Sequence, residues 1–285
     1  MIRTTAPIDP VDYLLIGHIT QDIIQQDSVL GGTATYSALT AKALGMRVGI
    51  VTSCAKDLDL SPLNGIAVAS LNSEFTTTYE NIESVSGRIQ FVQHQASFLD
   101  ASIIPETWRN TPIVHLGPVD QEIDPNIVHL FPDSFIGITP QGWLREWDHS
   151  GKVHVSDWPE ARYVLENVSA AVLSIEDIGA DYKRVEDMLT SIRVLVVTEG
   201  AEGDCLYWNG DARYFRPHQK YQGDSTGAGD IFASAFFIRL SQTKDPWEAA
   251  RFATQLAAYS VKRPGLEGIP TPEEIKDEMI EIISK

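Results

Sequence analysis

Gly223-Asp-Ser-Thr-Gly-Ala-Gly-Asp230 is the stretch whose residue types and spacing suit chemistry most directly. The apolar run 231–238 follows it at once. Small residues at Gly227, Ala228 and Gly229 let the backbone turn tightly onto a helix start. Free N–H groups and the helix dipole favour an anion there. A carboxylate beside that pocket would repel a bound phosphate, unless Asp230 faces an attacking hydroxyl and accepts its proton. The pocket would then absorb charge on a phosphoryl group in transfer. A bare Gly-Asp at a helix start would merely turn the chain and complement the dipole; the whole octapeptide favours function. It is not a Walker loop, which needs Gly-x4-Gly-Lys-Ser/Thr. It is not a dinucleotide fingerprint either, because a third glycine and a strand leading directly in are missing.

The elements that must hold this loop alternate along the chain. Short apolar runs at 13–19, 47–53, 113–119, 135–139, 170–174 and 194–198 predict buried strands. An Ala- and Leu-rich segment, 35–44, predicts a helix stopped by Gly45. Such alternation indicates a parallel sheet covered on both faces. Polar, β-branched residues in 74–96 predict a hairpin projecting from that sheet. A second hairpin is predicted from 205–208 and 212–215 around Asn209-Gly210. The last third reads as helices at 230–240, 246–261 and 272–283. Thr271-Pro-Glu-Glu274 supplies an N-cap, a proline at the first helical position and a capping glutamate.

Composition bounds the partners. The 285 residues hold 22 Lys+Arg against 39 Asp+Glu, a net charge of −17. With 43% hydrophobic residues the chain can bury a proper core. No Lys/Arg block offers a face to nucleic acid or an anionic membrane. Cys54 and Cys205 are the only cysteines, too few for a disulfide framework or a Cys-rich zinc site. The first ten residues lack an apolar signal core, and no apolar run approaches the ~18 residues of a membrane span. The expectation is a cytoplasmic protein, monomer or homodimer. The scattered histidines form no metal triad. Cys54 is expected to pack at a strand end. His18 follows a strand end and is a modest candidate for function. Arg88 and Arg145 are candidate phosphate partners. Trp143 and Trp147 are candidates to wall a cleft.

Asp224-Ser-Thr-Gly-Ala-Gly-Asp230 resembles the C-terminal signature of the ribokinase-like, or PfkB, carbohydrate kinases, with Ser225 where the family usually has Thr. Gly31-Gly-Thr-Ala-Thr-Tyr-Ser-Ala38 resembles the N-terminal signature. Val197-Thr-Glu-Gly-Ala-Glu-Gly203 resembles the nucleotide-binding strand and turn. Val261-Lys-Arg-Pro-Gly265 with Gly268-Ile-Pro270 resembles the closing segment. The resemblance implies one domain, 1–285, with a doubly wound, mostly parallel α/β sheet, helices on both faces and a small β-lid from about 19–30 and 74–96. It implies an ATP- and Mg²⁺-dependent kinase. Asp230 would be the base, with Gly227, Ala228 and Gly229 as the anion hole. Thr198, Gly200, Gly203, Thr226 and Thr254 would lie against the nucleotide. Asp22, Gly31, Gly32, Tyr36 and Gln141 would meet the substrate, and Asp177 and Glu176 would organise the metal.

Some positions depart from the family pattern. Tyr36 stands where a substrate-binding Asn is common. Ser174-Ile-Glu-Asp177 replaces Asn-x-x-Glu, and Thr139-Pro-Gln141 replaces Asp-x-Asn. These changes look most like the myo-inositol kinases, so a sugar or cyclitol is the expected acceptor. Two alternatives stay open. One is a nucleoside kinase, with Tyr36 and Trp143 stacking a base. The other is a non-catalytic nucleotide-binding member of the fold.

Overall fold

The computed structural model describes residues 2–24, 27–84 and 87–279. In chain order the strands are β1 Ile2–Thr4, β2 Tyr13–Ile16, β3 Thr20–Ile24, β4 Asp27–Gly31, β5 Val48–Cys54, β6 Ala67–Asn72, β7 Thr78–Ser84 and β8 Gly87–His94. They continue with β9 Ile113–Leu116, β10 Phe135–Ile138, β11 Arg145–Trp147, β12 Val153–Val155, β13 Ala170–Ser174, β14 Val194–Thr198, β15 Asp204–Trp208 and β16 Asp211–Phe215. The helices are α1 Gly32–Ala43, α2 Ala161–Leu165, α3 Tyr182–Leu189, α4 Ala228–Thr243, α5 Pro246–Ser260 and α6 Pro272–Glu278.

Ten strands form the main sheet in the order β1-β6-β5-β2-β9-β10-β13-β14-β15-β16. The seven strands from β6 to β14 are mutually parallel, with antiparallel strands at both edges. Strand residues alternate between two cores, as a pleat dictates. Tyr13 and Leu15 pack with α1, while Leu14 and Ile16 face the opposite layer with Trp108, Phe131 and Val185. Helices α4 and α5 cover β13 and β14 on the α1 side through Phe236, Phe237 and Phe252.

The chain order runs outward in both directions from β2, so the β2/β9 pair is the topological switch point where a doubly wound sheet opens a crevice. Two glycines sit at its mouth. A Cβ on Gly17 would stand 2.4 Å from the Gly117 carbonyl oxygen, and one on Gly117 would stand 2.5 Å from Thr33 Cγ2. This approach explains why the first strand is shorter than the 13–19 expected. The backbone leaves the sheet at Gly17 and enters the second sheet, β4-β3-β7-β8. That sheet is the lid, and it contains the 74–96 hairpin that its polar residues predict.

Other boundaries shift for local reasons. Helix α4 begins at Ala228 rather than 230 because Gly227, at φ 76°, starts the turn. The 3₁₀ turns that replace regular helix after β9 and β10 each carry a proline in the first turn. The 205–208 and 212–215 hairpin forms as β15 and β16, with Asn209 and Gly210 both at positive φ. Thr271 and Glu274 form the expected capping box of α6. The part of the expected last helix beyond 279, and 25–26 of the expected lid, lie outside the described residues. Among the described residues no helix is long and apolar enough to cross a membrane.

His18 proves to be a joint. It is fully buried; its Nδ1 lies 2.7 Å from Thr77 Oγ1 and its Nε2 lies 2.9 Å from the Ser97 carbonyl. Thr77 Oγ1 already accepts from Ala96 N–H, so its own proton goes to Nδ1 and Nε2–H donates to Ser97. Burial holds its pKa below the usual value. His18 therefore pins the first residues of the lid to the segment that follows β8. His18→Leu leaves the Thr77 hydroxyl proton without its acceptor and the Ser97 carbonyl without its His18 donor, at roughly 1–3 kcal/mol each. Urea unfolding should show a loss of about 2–4 kcal/mol. Unchanged stability with a raised acceptor KM would place His18 in the substrate site instead.

Candidate active site

A cavity of about 950 Å³ opens at the switch point between the main sheet, the lid and the start of α4. Asp22, Gly32, Tyr36, Gln141, Asp177, Glu176, Thr198, Gly200, Gly203, Thr226, Gly227, Ala228, Gly229, Asp230 and Thr254 all line it. Residues more than 200 positions apart in sequence thus meet in one space. Gly31 lies just behind Asp22: a Cβ there would stand 2.6 Å from Asp22 Oδ2.

The helix start has the geometry of an anion site. Gly227 is in the left-handed region, and a Cβ on it would strike the Tyr36 ring at 2.1 Å. Any larger residue must displace either the loop or Tyr36. Ala228 N–H donates to the Ser225 carbonyl and Ile231 N–H to the Gly227 carbonyl. Among the described residues the intervening N–H groups of Gly229 and Asp230 have no backbone acceptor, which leaves two donors and the dipole for a ligand. The loop is pinned from behind. Asp224 accepts from Thr226 N–H through Oδ1 and from Gly265 N–H through Oδ2. Tyr36 is buried, its ring underlying the anion loop, so it supports Gly227 as well as lining the cavity.

Burial pushes the Asp230 carboxyl up to about 6, against a hydrogen bond from Thr33 that lowers it. The charges of Asp177 and Asp22 push it further up, and Arg145 pulls it down. A carboxyl near 6 is both basic enough to take a proton and largely ionised at neutral pH.

On the lid side, Thr20 Oγ1 donates to Asp22 Oδ1 at 3.3 Å. Gln141 Nε2 donates to Asp177 Oδ1 at 3.0 Å, and Asp177 Oδ2 accepts from Ser174 N–H. Asp177 is thus the acidic partner in the capping box of the turn 175–178. Both its oxygens are engaged, which leaves Glu176, exposed at the rim, as the carboxylate open to a metal. No cluster of three or more His, Cys, Asp or Glu fit to hold an ion occurs among the described residues. This oxygen-only, sparse set fits a Mg²⁺ ion held mainly by phosphates and water, the usual Mg²⁺ arrangement.

On the β14–β15 side Gly200 and Gly203 adopt positive φ, and a Cβ on Gly203 would meet the Phe215 carbonyl oxygen at 2.0 Å. Thr198 Oγ1 points back to the Leu173 carbonyl. The Thr254 hydroxyl is spent on Asp204 Oδ2 and the Ala250 carbonyl, so its methyl group is what remains for a ligand.

Sequence reasoning gave several residues too little weight or none. Arg145 lines the cavity, with Nη2 4.0 Å from Asp177 Oδ1. Thr33 bonds the Asp230 carboxyl. Asp204 is a buried carboxyl on the wall, pushed up to about 7 by burial. The signal for Arg145 was its place in the turn after a central strand; Thr33 and Asp204 carried none. Trp143 does not wall this cavity. It stacks on Trp158 and lines a separate one of about 730 Å³, because its turn directs it to the opposite core layer. Cys54 is buried at a strand end. The Arg88 side chain lies outside the described residues.

Residues 168–273 match the family described as pfkB family carbohydrate kinase. The whole fold matches a pyrophosphate-dependent kinase of the ribokinase family, complexed with a pyrophosphate analogue and myo-inositol. That match has a TM-score of 0.78 and 20% identity over 94% of this chain and 100% of the other. The chain has the ribokinase-like fold, and its residues 168–273 carry the match to the pfkB family. Ribokinase from Thermotoga maritima superposes with a TM-score of 0.73 and 20% identity, over 94% of this chain and 99% of that one. Inositol 3-kinase from Zea mays is 34% identical over 137 residues, 47% of this chain and 34% of that protein. The matches span about a third of the length of such curated relatives.

The position of Asp230 has a cost that can be measured. An unfolded carboxyl titrates near 4, whereas the folded one titrates near 6. Above pH 6 the folded chain bears the full cost of a desolvated charge. Between 6 and 4 it takes up the proton before the unfolded chain does, and the cost fades. Asp230→Asn should therefore raise the thermal midpoint by a few degrees at pH 8 and hardly at all at pH 4. A pH-independent shift would show that the carboxyl is not desolvated.

Proposed function

We propose that the protein is a kinase that transfers the terminal phosphoryl group of ATP to a hydroxyl of a small sugar or cyclitol of the myo-inositol type. The observation that carries this reading is the pairing of a raised-pKa carboxyl, Asp230, with two unengaged N–H groups at the same helix start. Asp230 accepts the proton of the attacking hydroxyl. The Gly229 and Asp230 N–H groups and the Arg145 guanidinium face the negative charge of the transferring group. Asp22, lying over Gly31 at the lid root, accepts hydrogen bonds from further hydroxyls and so orients the acceptor. Bound Mg²⁺ would neutralise phosphate charge, with Glu176 as the residue that holds its waters and Asp177 bracing the turn that presents it.

The apolar lining of Ala201, Pro217, Ala257, Ala258 and Val261 supports a nucleotide donor, since a bare pyrophosphate would gain nothing from it. Lys220 is tied to Glu202 at 2.5 Å, which leaves few cations for a free polyanion. The family match and the inositol 3-kinase relative support the acceptor class. With Trp143 turned away, the aromatic sandwich that a nucleoside base would need is incomplete.

A donor-by-acceptor screen tests the reading: ATP and pyrophosphate against sugars, cyclitols and nucleosides. ATP with a cyclitol or sugar should give the highest kcat/KM. Turnover confined to nucleosides, or none at all, would overturn the assignment. With the preferred pair, kcat/KM should fall below about pH 6 as Asp230 protonates, and Asp230→Asn should lose at least ~10² in kcat. Near-wild-type turnover would remove Asp230 from the mechanism. Asp22→Ala should raise the acceptor KM and leave the ATP KM unchanged. A lower thermal midpoint with unaltered kinetics would make Asp22 a structural turn residue.

A further inference from the structure

Behind the acceptor end of the cavity a chain of polar groups runs through the core. Tyr13, His115, Ser37 and Ser234 are fully buried, and Thr139 is nearly so. Tyr13 OH lies 2.7 Å from His115 Nδ1 and 2.8 Å from Ser234 Oγ. Ser234 Oγ donates to the Ser37 carbonyl at 2.9 Å, and His115 Nε2 lies 2.9 Å from Thr139 Oγ1. Tyr13 and His115 belong to the central parallel strands β2 and β9, and Ser234 to α4. Thr139 ends β10 and opens the turn that carries Gln141.

These four contacts contain four protons, and only one assignment fills them all. A carbonyl cannot donate, so the Ser234 proton goes to Ser37. The Tyr13–Ser234 contact then needs the Tyr13 proton. His115 must supply the Tyr13–His115 contact from Nδ1–H. Its Nε2 is left bare, and the Thr139 proton fills the last contact. The imidazole is neutral, as this requires, because burial drives its pKa down to about 3. The Thr139 hydroxyl therefore caps no backbone N–H of its own turn, and its proton points into the core. Thr139 lines the cavity, and with its proton turned to His115 the hydroxyl can offer a ligand only lone pairs.

We propose that Thr139 is a specificity-determining contact of the acceptor, its oxygen taking a hydrogen bond from a substrate O–H, with His115, Tyr13 and Ser234 as positioning residues that fix this polarity. The proposal deepens the polyol-kinase reading and rests on it. Thr139 stands close to the base: Gly117 brings it and Thr33 together, and a Cβ on Gly117 would meet Thr33 Cγ2 at 2.5 Å and Thr139 Oγ1 at 3.4 Å. Thr33 in turn bonds Asp230. The hydroxyl read by Thr139 is thus a near neighbour of the one that reacts. A carbonyl or carboxylate oxygen at that place would face a lone pair with no proton between them. The site selects a polyol there over a keto or acidic sugar.

The test uses the full-length protein, ATP and a monodeoxy series of the preferred acceptor. The wild type should lose about 10–100-fold in kcat/KM for one deoxy position, a range suited to a site left with an unpaired polar group. Thr139→Val should lose a comparable factor with the parent acceptor and show no further loss with that deoxy analogue. The ATP KM should stay unchanged. Thr139→Ser, which keeps the oxygen, should restore the wild-type profile. His115→Leu frees the Thr139 proton to turn outward and should flatten the preference at the same position, an effect that a loss of stability alone would not produce. A Thr139→Val profile with the wild-type ranking intact would overturn the contact. A folded His115→Leu protein with an unchanged profile would overturn the imposed polarity. A wild type that phosphorylates no polyol would instead sink the functional reading and this inference with it.

Discussion

The site depends on one electrostatic conflict. On the proposed reading, a phosphoryl group would have to enter a cavity whose wall carries Asp22, Asp177, Glu176 and Asp230, on a chain with a net charge of −17. In water such a cluster would repel any polyphosphate. The fold answers with directional positive charge. The start of α4 aims N–H groups at the place where negative charge gathers, and Arg145 is held among Asp177, Asp230 and Tyr79. The carboxylates are in turn kept from acting as a free anionic surface. Asp177 is bound by Ser174 N–H and Gln141, and Asp224 by Thr226 and Gly265. Burial and neighbouring charges keep Asp230 partly tempered. Each acid is left with the interactions its task requires.

That arrangement needs backbone at unusually short range, and glycine alone permits it. At the switch point Gly17 and Gly117 bring β2 and β9 close enough for the lid to leave one strand and for Thr33 to reach the base. At the helix start Gly227 lies flat on the Tyr36 ring. The substitution of Tyr36 for the family's common Asn is then a packing change as much as a change of ligand. A ring on α1 braces the turn at Gly227 that opens α4, so the 31–38 and 224–230 segments are in direct contact.

The fold was legible where one local pattern sufficed. Continuous apolar runs such as Ala170–Ser174 and Val194–Thr198 became central parallel strands, and Asn209-Gly210 became the turn it promises. The edge of the pattern failed where the decision was tertiary. The strand β6 reads Ala-Val-Ala-Ser-Leu-Asn, which has little β signal, and pairing with β5 supplies it. Nothing in residues 17–19 announces that the chain leaves one sheet for another. The site followed the same rule. Asp230, Asp22 and the glycines were visible because their spacing is local. The orientation of Trp143 was not, since the turn 140–144 decides which layer receives it. The His115–Thr139 pair was invisible because two adjacent strands, 24 residues apart in sequence, must be aligned before it exists.

The lid adds a last constraint, which links specificity to stability. Asp22 sits on β3, only a few residues from the sheet strand β2, and between them His18 is fixed on both ring nitrogens. The backbone N–H of His18 is also held, by the buried carboxylate of Glu122, which takes Val119 and Asp120 N–H as well. The root of the lid is therefore tied to the core through both ring nitrogens and the backbone N–H of His18. Asp22 lies near that root. Asp22 is thus held by the same root that anchors the lid, so on the proposed reading its place relative to Asp230 is set by the sheet. On that reading, discrimination among polyols would rest on the core residues that hold the root of the lid.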